Sequence, residues 1–125
     1  ALELINKMKK RKIKINGAKI LIMGLTFKEN CADVRNSGIQ SVVPKLKKFK
    51  CNIDLYDPWV DKNKIKKIYN IAPVSKLNPK TYDSILISVA HNKFKSMGKK
   101  FISNLCKKNH IILDLKYIFS KNKLI

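Results

Sequence analysis

The sequence predicts a single α/β domain in which a parallel β-sheet is flanked by helices. Three observations support this fold class. Short apolar runs alternate with segments of helical periodicity, the runs are apolar on both faces, and 125 residues fit one domain. Because consecutive parallel strands need a crossover connection, each intervening helix returns the chain to the starting edge of the sheet.

The chain opens with a helical segment over residues 1–12. Three apolar residues recur there at helical spacing before a basic run, namely Leu2, Ile5 and Met8. Asn16 and Gly17 then mark a turn. We therefore divide the chain into a helical tail, residues 1–16, and a main domain, residues 17–125.

Four apolar runs predict the strands of the sheet. They cover residues 19–24, 52–56, 84–90 and 111–115. Each run is short and contains isoleucine and leucine, as is typical of buried strands. The run at residues 84–90 has the strongest strand character.

Apolar residues at helical spacing predict the connecting helices, which cover residues 39–49, 62–69 and 94–105. Pro44 lies inside the first of them, where its missing N–H predicts a kink for which the sequence offers no reason. Gly98 weakens the last one. The resulting alternation of strands and helices is typical of a Rossmann-like parallel sheet.

The chain is strongly basic, with 28 Lys and Arg against 8 Asp and Glu and a net charge of +20. Such a charge attracts polyanions, so a nucleic-acid-binding module is an alternative on electrostatics alone. The arginines are Arg11 and Arg35 alone, and arginine is the residue that grips phosphate bidentately and reads base edges. We therefore favour a solvated lysine surface that binds no specific nucleic acid.

The sequence also indicates the compartment. No apolar run approaches the roughly 18 residues of a membrane span, and no secretory signal opens the chain, so we expect no membrane association. Three scattered cysteines, Cys31, Cys51 and Cys106, form no C-x-x-C pair. They predict neither a disulfide framework nor a metal site and suit a cytoplasmic location.

Ligands of parallel sheets bind outside the carboxyl ends of the strands, which directs attention to residues 25–37, 57–61 and 90–94. The first of these loops stands where a dinucleotide fold has its G-x-G-x-x-G fingerprint. Only Gly24 of that fingerprint is present, so we do not expect a glycine-cradled pyrophosphate here.

The first loop offers other groups instead. Lys28 and Arg35 are cations, and Phe27 supplies an apolar face for a flat ring, all ahead of a helix N-terminus. This combination predicts an anion and nucleotide site. A solvated loop with a local contact between Asp33 and Arg35 accounts for the same residues equally well.

Four further residues have a functional and a structural interpretation, and the structural one is favoured for each. Asp57 can accept a ribose hydroxyl or cap a turn, and His91 can act as a base, cap the next helix or bind a backbone carbonyl. Trp59 is expected to pack on its loop. Cys31 has no adjacent base and is expected to be inert.

Four ordered motifs give the chain its resemblance to a known family. They read Gly-Leu-Thr-Phe-Lys-Glu-Asn-Cys-x-Asp-x-Arg-Asn-Ser from residue 24, Tyr-Asp-Pro-Trp-Val-Asp from residue 56, Ala-His-Asn-Lys-Phe from residue 90 and Leu-Asp-Leu-Lys-Tyr from residue 113. In order and spacing they resemble the C-terminal, UDP-binding domain of the UDP-glucose/GDP-mannose dehydrogenase family. The bacterial branch acting on UDP-N-acetylhexosamines is the most similar, and the resemblance covers residues 19–117.

The resemblance implies roles for matching positions. Phe27 and Lys28 resemble the pair that contacts the UDP-sugar, and Arg35 resembles the residue that reaches NAD bound by the partner domain. Lys116 stands where some members have an arginine that touches substrate. The family's nucleophile motif, G-F-G-G-x-C-x-x-K-D, is absent, so we expect no catalytic residue in this chain.

The resemblance further implies the activity of a parent enzyme. That enzyme oxidises the C6 hydroxyl of a UDP-sugar to a carboxylate with NAD, and the uronic acids feed surface polysaccharides. NAD is bound mainly by an N-terminal domain, residues 1–16 are the end of the linker helix between the domains, and the full-length enzyme is a homodimer. Beside the nucleic-acid alternative, a structural dimerisation domain with a decayed ligand site is a third interpretation.

Overall fold

The computed structural model describes residues 1–26, 29–30, 38–119 and 124. The elements of this described part are α1 (Leu2–Lys10), β1 (Lys19–Met23), α2 (Ile39–Lys48), β2 (Asn52–Tyr56), α3 (Lys62–Tyr69), β3 (Tyr82–Ile87), α4 (Asn92–Met97), α5 (Lys99–Asn104) and β4 (Cys106–Asp114). Their order confirms the predicted alternation of strands and helices. No helix among the described residues is long and apolar enough to cross a membrane.

The strands form one sheet in the order β2-β1-β3-β4, and every pairing in it is parallel. From β1 the chain steps to β2 on one side and then crosses to β3 on the other. The carboxyl ends of β1 and β3 therefore flank the topological switch point, where open α/β sheets bind their ligands. The predicted Rossmann-like sheet is confirmed.

Side chains of β1 alternate between two apolar clusters, because successive residues of a strand point to opposite faces. Ile20 and Ile22 pack in one cluster with Leu46 of α2 and with residues of α1 and α3. Leu21 packs in the other cluster with Phe94 of α4 and with residues of α5. Burial on both faces explains why β1 is continuously apolar in sequence.

Helix α1 contributes Leu4, Ile5 and Met8 to the first cluster, and all three are buried. Leu2, which shares the helical spacing of Ile5 and Met8 in the sequence, is 65% exposed. At about 100° per residue, Leu2 points about 115° away from the centre of the face formed by the three buried residues. The three-residue spacing of Leu2, Ile5 and Met8 therefore predicted the helix but did not identify its buried face.

Several boundaries differ from the prediction, most of them by one to three residues. The last predicted helix is two helices, because Gly98 has φ +83° and interrupts it. Strand β3 ends at Ile87 rather than residue 90. Strand β4 starts at Cys106 rather than residue 111, and its exposed polar first half is irregular where it pairs with β3.

Pro44 lies inside α2, as predicted, and the helix is continuous from Ile39 to Lys48. The proline is on the exposed face of the helix. Its missing N–H is less costly there, because water can reach the carbonyl that this N–H would otherwise bond. The lysines of the described residues are likewise at the surface, with Lys7 half-buried and the others exposed. This distribution fits a solvated basic surface.

Candidate functional site

The carboxyl end of β1 is locked against its two neighbours. Gly24 has φ +102°, and a Cβ placed on it would lie 2.7 Å from Val89 Cβ and 2.9 Å from the Val89 backbone nitrogen. Its N–H donates to the Tyr56 carbonyl (3.0 Å), and its own carbonyl accepts from Ser88 Oγ (2.6 Å). Only glycine fits this close approach of the chain after β1 to the chain after β3.

This packing decides what Gly24 can bind. In a dinucleotide fold the glycines leave room for the pyrophosphate, and a helix begins immediately after the turn. Here Val89 fills the space beside Gly24, and α2 begins only at Ile39. The described residues therefore do not fit a glycine-cradled NAD, in agreement with the prediction from the sequence.

Asp57, directly after β2, joins three segments through its carboxylate. Its Oδ1 accepts from the Trp59 N–H (2.8 Å), and its Oδ2 accepts from the Leu25 N–H (2.7 Å). Oδ2 also lies 3.0 Å from Nε2 of His91, and neither of these two side chains is exposed. The turn-capping interpretation of Asp57 is confirmed, and a ribose-binding role is disfavoured because both oxygens are engaged.

The hydrogen bonds of His91 fix its tautomer. Nδ1 accepts from the Asn30 backbone N–H (2.8 Å), so Nδ1 carries no proton. The proton of the neutral ring is therefore on Nε2, which donates to Asp57 Oδ2. Thr26 Oγ1 lies 3.3 Å from the same nitrogen.

With both nitrogens engaged and no exposure, the imidazole has no access to a substrate proton, so the structural interpretation of His91 holds. Its detail was wrong in one respect. His91 is the N-cap residue of α4, as expected, but its side chain makes no capping hydrogen bond and accepts from a backbone N–H instead of binding a carbonyl. Trp59 lies beside it, with ring centroids 6.1 Å apart, and is itself 45% exposed.

Asn30 adds a second link between the loop after β1 and the start of α4. Its Oδ1 accepts from the Asn92 N–H (3.0 Å), and its backbone is left-handed, with φ +53°. Asparagine tolerates that conformation better than most residues. Sequence reasoning missed Asn30, because its role depends on a residue 62 positions away.

A cleft of about 270 Å³ opens at the switch point. It is lined by Thr26, Gly38, Ile39, Val42, Ser88, Val89, Leu115 and Lys116. Apolar walls, two hydroxyls, the start of α2 and one lysine therefore meet in one place. This combination suits an anionic ligand with an apolar part, since a helix N-terminus and a cation both attract negative charge.

A short turn after β4 carries Lys116 to this cleft. Asp114, which is fully buried, accepts from the Phe119 N–H through Oδ2 (3.0 Å), and the Tyr117 N–H donates to the Asp114 carbonyl (3.4 Å). Tyr117 has a left-handed backbone, with φ +53°. The turn is held from its buried first residue, while Lys116 stays exposed at the rim of the cleft.

Of the site residues predicted from the sequence, Lys116 is the one within the described part of the chain. Phe27, Lys28 and Arg35 lie outside the described residues, as does Cys31. Thr26 precedes Phe27 in the chain and Asn30 follows Lys28 by two residues. Both Thr26 and Asn30 are described, and both contact His91.

The described cysteines are not suited to chemistry. Burial raises the pKa of the Cys51 thiol. Burial, with a smaller effect from the Asp83 carboxylate, raises the pKa of Cys106 to about 12. Both thiols are therefore protonated near neutral pH, and the expected packing role fits. Within the described residues, no group of three or more His, Cys, Asp or Glu could hold a metal ion.

Comparison with known proteins gives the ancestry of this arrangement. The profile of the UDP-glucose/GDP-mannose dehydrogenase family, UDP binding domain, matches residues 21–121. The chain is 44% identical over 116 residues to the UDP-N-acetyl-D-glucosamine 6-dehydrogenase of Salmonella typhi, covering 93% of this chain and 27% of that protein. It is 41% identical over 121 residues to the Pseudomonas aeruginosa protein of the same name, with 97% and 29% coverage.

A solved structure agrees. The UDP-D-ManNAc dehydrogenase of Pyrococcus horikoshii superposes with a TM-score of 0.74 at 25% identity, over 96% of this chain and 27% of that one. The chain thus spans between a quarter and a third of the length of these relatives. With these matches, the chain belongs to the UDP-glucose/GDP-mannose dehydrogenase family and contains its UDP binding domain.

Proposed function

We propose that the chain binds the UDP-sugar substrate of a longer nucleotide-sugar 6-dehydrogenase. That enzyme oxidises a UDP-sugar to a UDP-uronic acid with NAD, for surface polysaccharide biosynthesis in the cytoplasm. The proposal rests on the cleft at the switch point of the sheet, which Lys116 lines. It is also supported by Val89, which fills the space beside Gly24. The cleft favours a phosphate ligand, while the filled glycine disfavours a dinucleotide at the same strand.

The ligand contacts follow from this placement. Lys116 and the N-terminus of α2 attract the diphosphate, and the hydroxyls of Thr26 and Ser88 lie along the same cleft. Phe27 and Lys28 immediately follow Thr26 in sequence, and we assign them the uracil-ribose side and a second cation. Their assignment is supported by the family resemblance of the loop motif.

The remaining roles lie with the rest of the enzyme. We assign NAD mainly to an N-terminal domain, with Arg35 reaching towards it, and assign no catalytic residue or metal ligand to this chain. We assign residues 1–16, with α1 (Leu2–Lys10), to the end of the linker helix and its exit, and residues 17–125 to the UDP-sugar-binding domain. Relatives with the name UDP-N-acetyl-D-glucosamine 6-dehydrogenase support a UDP-N-acetylhexosamine as substrate, and we expect the full-length enzyme to be a homodimer.

The nucleic-acid-binding alternative has no support among these observations. Exposed lysines are spread over helices on both sides of the sheet rather than gathered on one surface. Binding to DNA or RNA should therefore be non-specific and should collapse with rising salt. A strong preference for one nucleic-acid sequence at physiological ionic strength would support the alternative.

Calorimetric titration of the chain with UDP, a UDP-N-acetylhexosamine and NAD tests the proposal. We expect weak binding of the two uridine nucleotides and weaker binding of NAD, because contacts from other domains are missing. Lys116→Ala should lower UDP affinity about threefold, the modest effect of an exposed charge. Lys66→Ala on α3 removes the same charge away from the cleft and should change nothing. Tighter binding of NAD than of UDP would contradict the proposal.

A further inference from the structure

We propose that a basic hollow at the amino edge of the sheet binds a small multivalent phosphate, of the di- or triphosphate class. The hollow has a volume of about 530 Å³, and its lining includes Lys80, Lys107, Lys108 and His110, with Ser103 and Asn104 beside them. None of the described residues that line it is acidic. Because the hollow lies where β3 and β4 start, at the edge opposite the cleft, the inference is independent of the proposed function.

An irregularity of β4 forms one wall of the hollow. Between two consecutive paired positions, β3 has one residue, Asp83, where β4 has four, residues 107–110. Extra residues in a strand bulge out of the ladder and turn their side chains in new directions. Three of these four bulged residues line the hollow, and two of the three are lysines.

The bulge is held in place by three side-chain contacts. Lys107 Nζ donates to Asp83 Oδ2 (3.2 Å), and His110 Nδ1 donates to the Lys107 carbonyl (2.7 Å). Asn109 Nδ2 donates to the Arg11 carbonyl at the end of α1 (2.9 Å). The wall of the hollow is therefore formed before an ion arrives, which lowers the ordering cost of binding.

Two lysines of the hollow have no counter-ion within the described part of the chain. The Asp83 carboxylate pairs with Lys107 and therefore offsets the charge of that lysine. Lys80 and Lys108 are exposed, and neither forms an ion pair with a described carboxylate. The hollow thus presents two uncompensated positive charges from two different segments, one before β3 and one in the bulge of β4.

Helix α5 also ends at the hollow, and the carbonyl end of a helix repels anions. Here those carbonyls already accept hydrogen bonds from the segment before β3. The Asn104 carbonyl accepts from the Lys80 N–H (2.8 Å), and the Leu105 carbonyl accepts from the Thr81 N–H (2.8 Å). The side chains of Ser103 and Asn104, which line the hollow, add a hydroxyl and an amide that can donate to an anion.

The donor set favours an oligophosphate. A lysine ammonium is a point charge with three donors, so it needs an ion rich in charge and in acceptor oxygens rather than a planar carboxylate. A single exposed ion pair is weak, so an ion long enough to meet Lys80 and Lys108 together binds better than one that meets either alone. A volume of about 530 Å³ leaves room for such an ion.

Calorimetric titration of the chain with sodium tripolyphosphate at low ionic strength tests the inference. The double variant Lys80→Gln with Lys108→Gln removes both uncompensated charges from exposed positions, and we expect its affinity to be about tenfold lower. The matched control is Lys64→Gln with Lys67→Gln, which lowers the net charge equally on exposed positions of α3. The control should lose less than about twofold. Equal losses in the two double variants would overturn the inference.

Amide chemical shifts measured by NMR locate the bound ion. Tripolyphosphate should shift the amides of Lys80, Asn104 and residues 107–110, and leave those of Ser88 and Lys116 at the cleft unchanged. Shifts confined to the cleft would overturn the inference, as would equal affinity for a tetraglutamate peptide, because charge alone would then explain binding. A separate titration with UDP reports on the cleft, so a failure of the proposed function there is distinguishable from a failure of the basic hollow.

Discussion

Replacing Gly24 with alanine tests the packing at the switch point most directly. The new Cβ would lie 2.7 Å from Val89 Cβ and 2.9 Å from the Val89 backbone nitrogen, closer than any unstrained contact. Because one of these atoms is backbone, the clash cannot be relieved by rotating a side chain. Alanine would also have to adopt φ +102°.

The magnitude follows from two contributions. A non-glycine residue in a sparsely populated backbone region costs roughly 1–3 kcal/mol, and overpacking of a close-packed site costs roughly 1–3 kcal/mol more. Gly24→Ala should therefore lower the free energy of unfolding by about 2–6 kcal/mol. That is a large share of the stability of a small domain.

Two other glycines provide controls within the same chain. Gly17 has φ +82°, and a Cβ added to it would have nothing within 4 Å, so Gly17→Ala should show the backbone cost alone, roughly 1–3 kcal/mol. Gly38 has open space and a helical backbone, with φ −60°, so Gly38→Ala should be neutral or slightly stabilising. Gly38→Ala should therefore be the most stable of the three variants and Gly24→Ala the least stable, with Gly17→Ala between them.

Urea denaturation, monitored by circular dichroism, measures the free energy of unfolding of each variant, provided that the m-value is unchanged. A Gly24→Ala variant no less stable than Gly17→Ala would refute the close approach to Val89. Adding Val89→Ala should rescue Gly24→Ala only in part. The Val89 Cγ2 contact at 2.8 Å disappears, but the Cβ and nitrogen contacts remain.

Two predictions concern groups buried away from the cleft. Tyr82→Phe removes the hydroxyl that donates to Asp54 Oδ2 (2.6 Å). This change should lower the free energy of unfolding in urea by roughly 1–2 kcal/mol. Tyr56→Phe is the control, and an equal loss of stability in both variants would contradict the prediction. The pKa of Cys106 is raised from 9.0 in the unfolded chain to about 12 by burial, so its contribution to stability is complete below pH 9 and is lost as pH rises towards 12. Stability of the parent chain should therefore fall more steeply than that of Cys106→Ala between about pH 9 and 11; parallel curves would exclude this contribution.

The sequence predicts this fold well where local and tertiary signals agree. Strand β2 and helix α3 have the predicted limits. The ends of α3 explain its accuracy, since Asp61 accepts from the Asn63 N–H and Asn70 closes the helix in a left-handed conformation. The first half of β4 was missed because its pairing with β3 is irregular and the exposed Lys107 and Lys108 give no apolar pattern.

The site was less predictable, because its contacts join residues far apart in the chain. Asp57 and His91 are 34 positions apart, and the strands that precede them are separated in the sheet by β1. Each residue followed a predicted strand, so a shared edge was foreseeable. Their direct contact was not, because the order of the strands is a tertiary property. Asn30 gave no local signal at all.

The packing of Gly24 also bears on how a ligand could be held at the switch point. A dinucleotide fold binds pyrophosphate through backbone N–H groups that glycines leave open. In this chain Val89 occupies that space, and the Leu25 N–H, one residue after Gly24, is already bound to Asp57. The N–H groups of Gly24 and Leu25 are therefore committed to internal hydrogen bonds. On the proposed function, a ligand at the switch point is therefore expected to be held by side chains such as that of Lys116 rather than by these two backbone groups.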